Sequence, residues 1–203
     1  NPAASNNAVN VAGSNVTVSD VTVNLSVESA TFSEGLAIEV FGNDASATIT
    51  NATIDGTGEM TADNLTAVVG VSADNGAVAT VRDSDIDVAS DGYSFAVVAR
   101  EGATTDVRYN ELSASGGELN GVGFGVESDN PAAQTVRFNT FDGVETIENK
   151  AASGELDVTG NYWTNLSSVE FINTNDGEIT YDPFLTVEPD EVDADSLDET
   201  TQF

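Results

Sequence analysis

The sequence predicts an all-β chain wound as a right-handed parallel β-helix of about six coils, with almost no α-helix. Three observations predict it. A seven-residue pattern recurs six times without gaps. Glycine and Asn/Asp clusters separate the recurrences, as turns require. No segment shows the 3.6-residue apolar period of a helix.

The six segments are Thr17 to Val23, Thr48 to Ile54, Thr80 to Ile86, Asp106 to Leu112, Thr135 to Phe141 and Asp157 to Trp163. Their second position is always β-branched: Val18, Ile49, Val81, Val107, Val136, Val158. Their seventh is always large and apolar: Val23, Ile54, Ile86, Leu112, Phe141, Trp163. Successive second positions lie 31, 32, 26, 29 and 22 residues apart. A strand that keeps one side-chain class at one position over such intervals is a coil of a solenoid. An antiparallel sandwich gives no reason for identity between distant strands.

Within the pattern, the third position is polar and therefore faces outward. The fifth is Asn in the last three segments (Asn110, Asn139, Asn161), which suits a corner with left-handed backbone. The fourth is irregular: Asp20, Asn51, Asp83, Tyr109, Phe138, Gly160. Simple alternation would turn Asp inward at high cost, so the chain is expected to bend there. A second apolar stretch follows each segment: 36–41, 67–71, 95–99, 122–126, 144–147 and 169–172. Its register is harder to assign.

Residues 1–14 read as an extended segment and 15–187 as the β-helix. Trp163, Phe171, Tyr181, Phe184 and Leu185 supply a carboxyl-terminal aromatic cap. Residues 188–203 form an acidic tail without periodicity. No amino-terminal cap is visible, so the first coil is expected to need a partner chain, upstream sequence or another copy.

The 203 residues carry 35 acidic and five basic side chains, a net charge of −30, yet 39% are hydrophobic. A disordered acidic chain lacks such apolar content. The charge is therefore the surface of a folded protein. Its self-repulsion collapses at molar salt, where the Debye length is about 3 Å. The composition reads as adaptation to a halophilic setting.

There are no histidines and no cysteines, which excludes imidazole and thiolate metal sites, disulfides and Ser-His-Asp triads. Five cations do not make a phosphate-binding surface, so nucleic acid is not an expected partner. No apolar run reaches the ~18–20 residues that span a bilayer, so direct membrane insertion is not expected either. The chain begins at Asn1 and shows no signal sequence, as expected of a processed or partial chain.

Three of the five cations, Arg82, Arg108 and Arg137, occupy the third position of successive segments. Coils about 4.8 Å apart would stack them into one column. Such a column could hold the carboxylates of an acidic glycan, or supply an Arg base for uronate β-elimination. Alternatively, Asp83, Asp85, Asp106 and Glu111 neutralise it locally, because stacked like charges destabilise one another. Asp83, Asp85 and Asp87, with Asp91, imitate the start of a calcium loop. Ile86 interrupts it at a core position, and the required Gly and bidentate Glu are missing, so only weak Ca2+ or other cation binding is expected. No other cofactor is implied. Lys150 is expected to be exposed. Five sequons, at Asn15, Asn24, Asn51, Asn64 and Asn165, are about as many as the composition alone gives.

The stretches Val136 to Gly143, Val158 to Trp163 and Ile179 to Leu185 resemble right-handed β-helix repeat proteins of the pectate-lyase-like superfamily. They particularly resemble the NosD-type repeats common in halophilic archaeal surface proteins. In those, an Asn-Trp-Trp-like element and a Tyr-x-Pro-Trp/Phe-Leu element follow the last coils. Tyr162-Trp163 and Tyr181 to Leu185 match in that order, and the resemblance spans about residues 15–187. It implies the fold strongly and function weakly, because β-helices host lyases, hydrolases, adhesins and viral spikes. The family's polygalacturonases use adjacent aspartates and a histidine, and its pectate lyases an Arg-x-Pro-x-Arg element. This chain has none of these. The expected function is therefore a non-catalytic extracellular structural or recognition module of a cell surface or virion. It would form homo- or hetero-oligomers with other surface proteins. The alternative is a glycan-binding or polysaccharide-cleaving domain acting through the arginine face.

Overall fold

A computed structural model describes residues 5–29, 33–60, 66–117, 121–127, 131–173 and 176–189. Strand β1 (Ser5–Val11) precedes the first coil. That coil is β2 (Val16–Ser19), β3 (Thr22–Ser29) and β4 (Ser33–Phe41). The second is β5 (Ser46–Thr50), β6 (Thr53–Met60) and β7 (Thr66–Asp74). The third is β8 (Val78–Arg82), β9 (Asp85–Ser90) and β10 (Tyr93–Arg100). The fourth is β11 (Thr104–Arg108), β12 (Glu111–Gly116) and β13 (Gly121–Glu127). Shorter strands follow: β14 (Thr135–Arg137), β15 (Thr140–Asp142) and β16 (Thr146–Asn149). Then come β17 (Ser153–Asp157), β18 (Tyr162–Trp163), β19 (Glu170–Asn173) and β20 (Asp176–Thr180). Among the described residues the helical elements are two three-residue 3-10 turns, Pro131–Ala133 and Leu166–Ser168.

Each strand pairs in parallel with the equivalent strand of the next coil. The first sheet runs β2-β5-β8-β11-β14, the second β3-β6-β9-β12-β15-β18, and the third β1-β4-β7-β10-β13-β16-β19. The fold is a parallel β-solenoid of about four regular turns, not the six expected. The shortfall has a local cause. The fifth coil keeps strands of only three, three and four residues, and β17 leaves the stack to pair with β20. Within the amino-terminal extended segment, β1 lies on β4 in register, with Val9 beside Ile38 and Val11 beside Val40.

The repeat pattern explains the core. Val18, Ile49, Val81, Val107 and Val136 form one inward column of the first sheet. Val23, Ile54, Ile86, Leu112, Phe141 and Trp163 form one of the second. Burying each such side chain contributes about 1.5–3 kcal/mol.

The third sheet breaks the two-residue period, which is why its register was hard to read. Its ladder passes over Ala8, Ala37, Gly70, Ala96 and Gly123, all small and all in one column. Ala37 and Ile38 both enter the core, as do Ala96 and Val97. A Cβ on Gly70 would lie 2.6 Å from the Ala96 carbonyl oxygen, so this column has no room for larger residues. On the sheet's other face, Leu36, Val69, Phe95 and Val122 form a second buried column.

The carboxyl-terminal cap is an aromatic stack. Phe141 and Trp163 lie with ring centroids 4.4 Å apart, Trp163 meets Phe171 edge-on at 5.8 Å, and Phe171 stacks on Tyr181 at 4.2 Å. Leu185 is buried and bridges to Tyr162, but Phe184 points outward, 37% exposed, and does not belong to the cap.

Candidate functional site

The corner between the first and second sheets carries the chain's most distinctive chemistry. It is built by the fourth and fifth positions of the repeat. The fourth position takes the left-handed backbone: Asp20, Asn51, Asp83, Tyr109, Phe138 and Gly160 have φ of 55°, 52°, 50°, 59°, 59° and 70°. The expected bend is there. The expectation that Asn110, Asn139 and Asn161 supply the left-handed geometry is corrected, because the residue before each of them does so.

The asparagines instead turn inward and bind one coil to the next. The Asn110 side-chain carbonyl accepts from the Ser84 N–H at 3.0 Å, and the Asn139 carbonyl accepts from the Asn110 N–H at 3.1 Å. Their amides donate to Val81 and Val107 carbonyls at 2.9 Å. Ser84 continues the line by accepting from the Ala52 N–H at 3.1 Å. This satisfies buried backbone groups that the corner would otherwise orphan.

Opening from this corner is a groove of about 850 Å³. Tyr109 and Phe138 form its apolar part, stacked with centroids 5.5 Å apart and planes 14° from parallel. Asp83, Asp85, Glu111 and Asp142 line it with carboxylates, Arg82 with one guanidinium, and Glu188 and Pro189 reach it from the chain beyond the cap. Partial desolvation at the groove wall, then the neighbouring Asp87, pushes the Asp85 carboxyl above its ordinary range.

Arg82, Arg108 and Arg137 stand in register on β8, β11 and β14, as the spacing predicted. All three are ion-paired. Asp106 sits between the first two, 2.7 Å from Arg82 and 2.6 Å from Arg108. Asp157 holds Arg137 at 2.7 Å. Burial pushes the Asp157 carboxyl up, but hydrogen bonds from Thr159 and Arg137 outweigh it and hold the group below its usual range. Of the neutralising residues expected, Asp106 serves, while Asp83, Asp85 and Glu111 line the groove. Asp157 was missed although it opens the sixth segment as Asp106 opens the fourth; its strand, β17, pairs with β20 and not with β14.

Asp83, Asp85 and Asp87 do not converge. Asp85 and Asp87 are exposed on β9 with Ile86 buried between them, and Asp83 occupies the bend. Among the described residues no three carboxylates are grouped to hold a metal ion. Asn15, Asn24, Asn51 and Asn165 are all exposed, and Asn64 lies outside the described residues.

Lys150 is not free in solvent. It pairs with Glu148 at 2.6 Å and Glu127 at 3.4 Å, and lies 5.7 Å from the Phe95 ring centre. Arg100 shares that ring at 5.9 Å and pairs with Glu34 at 2.6 Å and Glu127 at 3.0 Å. All five cations of the chain are therefore held in ion pairs.

Comparison with protein-family models, with curated proteins and with solved structures finds no match.

Proposed function

We propose that the chain is a non-catalytic extracellular module of a halophilic cell surface or of a virion, serving structure or recognition. The distribution of charge carries this reading. All five cations are bound to carboxylates of the same fold, while acidic side chains such as Glu28, Asp55, Asp87 and Glu101 are exposed on different coils. Such a surface suits molar salt, where its repulsion is screened. The NosD-type resemblance of the late coils agrees with a surface home.

Assembly with other chains fits the same reading. Strands β1, β2 and β3 form sheet edges among the described strands, and an edge accepts an added strand. Immunogold labelling of the source cells, and of particles they shed, tests the proposal. Label on envelopes or virions is the expected result. Label confined to the cell interior overturns it.

A glycan-recognising role is the second reading. The observation that favours it is the corner groove with its aromatic pair, and not the arginine face named by the sequence, whose charges Asp106 and Asp157 already occupy.

A further inference from the structure

We infer that the corner groove binds a neutral oligosaccharide, with the apolar face of one sugar ring against the Tyr109–Phe138 pair and its hydroxyls donating to the groove carboxylates. The inference rests on the recognition reading above and deepens it.

Backbone strain marks the two aromatic corners. Four of the six corners hold Asp, Asn or Gly, the residues that tolerate left-handed geometry. Two successive coils hold Tyr109 and Phe138 there, each at φ 59°. A bulky residue in that region costs of order 1–3 kcal/mol. Their mutual stacking returns about 0.5–1.5 kcal/mol for the pair, beyond the area they bury. Asn, which the second coil holds at this corner, adopts the same geometry at lower cost.

The next corner leaves space beside the rings. Phe138 N–H donates to the Gly160 carbonyl at 2.9 Å, so Gly160 is the next corner in the column. Having no side chain, it adds nothing to the stack beyond Phe138. The groove that Tyr109 and Phe138 line is of a volume that suits a small ligand.

Charge selects among sugars. Asp83, Asp85, Glu111 and Asp142 outnumber the one groove cation, Arg82, which is itself paired to Asp106, and so disfavour uronates and sulfated sugars. Carboxylates accept hydrogen bonds from neutral hydroxyls. In molar salt, charge pairing is screened, whereas stacking and short hydrogen bonds persist. A neutral glycan uses the interactions that survive.

The test is calorimetric titration of the full chain in about 3 M KCl. The probes are neutral gluco-, xylo-, manno- and N-acetylglucosamine hexaoses, with polygalacturonate as the anionic arm. Binding of a neutral hexaose is expected. Phe138→Asn should weaken it at least about tenfold while Tm holds or rises, because Asn relaxes the backbone. Tyr109→Asn should act likewise, and Arg108→Ala, outside the groove, should leave binding within about twofold. Binding that survives Phe138→Asn while Tm falls overturns the inference and makes the rings structural. Failure of every neutral hexaose to bind overturns it too. Preference for polygalacturonate overturns the groove chemistry but leaves a recognition module. Shortening of a bound hexaose would support the groove and overturn the non-catalytic reading instead.

Discussion

The side-chain carbonyl of Asn161 accepts two hydrogen bonds from Asn139, one from its backbone N–H at 2.9 Å and one from its side-chain amide at 3.0 Å. Asn139 does the same for Asn110, and is itself fully buried. Removing the middle residue orphans the Asn110 N–H and the Val107 carbonyl together. Asn139→Ala should cost about 2–4 kcal/mol. Asn139→Asp should cost at least as much, since a carboxylate cannot donate to Val107. Denaturant unfolding at high salt measures both, and a loss below about 1 kcal/mol for Asn139→Ala would show that the line of asparagines is not a major support.

Salt should stabilise the chain. Salt weakens the ion pairs of the five cations, but it also screens the repulsion among 35 acids, which outnumber them sevenfold. The second effect dominates. Lowering KCl from about 3 M to about 50 mM lengthens the Debye length from under 3 Å to over 10 Å, and Tm should fall steeply. Circular dichroism melts that coincide at the two salt concentrations would contradict this account of the surface.

Mild acid should also stabilise it. Burial raises the Asp74 carboxyl, with Glu34 and Glu101 adding to burial against the Ser72 hydroxyl and Arg100. Burial, followed by Asp74, raises Glu39. A carboxyl whose folded pKa is raised binds its proton more tightly in the folded state. Its contribution is complete below the unfolded pKa and lost as pH rises through the folded one. Asp157 is shifted the other way, so its contribution falls only below the ordinary carboxylate range. Tm should therefore rise as pH falls from neutral toward the ordinary carboxylate range of about pH 4. Asp74→Asn should shrink that rise, and an equal rise in the variant would remove Asp74 as its source.

The cap should depend on ring area more than on the indole nitrogen. Trp163 is 6% exposed and stacked on Phe141, and its Nε1 meets no acceptor among the described residues. Trp163→Ala should cost about 3–5 kcal/mol, whereas Trp163→Phe should cost less than half of that. Equal losses in urea titrations would assign the nitrogen a partner.

Much of the solenoid was legible because its inward columns repeat in sequence. Val18 to Val136 and Val23 to Trp163 needed no knowledge of the third dimension. The bend at the fourth position was legible too, because Asp cannot enter an apolar core. The third sheet was not, because Ala37, Gly70 and Ala96 place two neighbours inward and erase the alternation. The groove was illegible for a different reason. Arg82, Tyr109, Phe138 and Asp142 come from successive coils and meet only once the register is set. Aromatics at the irregular position were the available signal, read as a bend and not as a surface.

The backbone bonds between coils point along the solenoid axis, about 4.8 Å per step. Tension along that axis therefore meets them one coil at a time, while a load across it falls on the covalent chain of every coil at once. Pulled from its ends, the molecule should lengthen in discrete jumps of roughly 20–30 residues. The run from Ser84 through Asn161, cross-tied at each corner by a side chain, should be the last to yield.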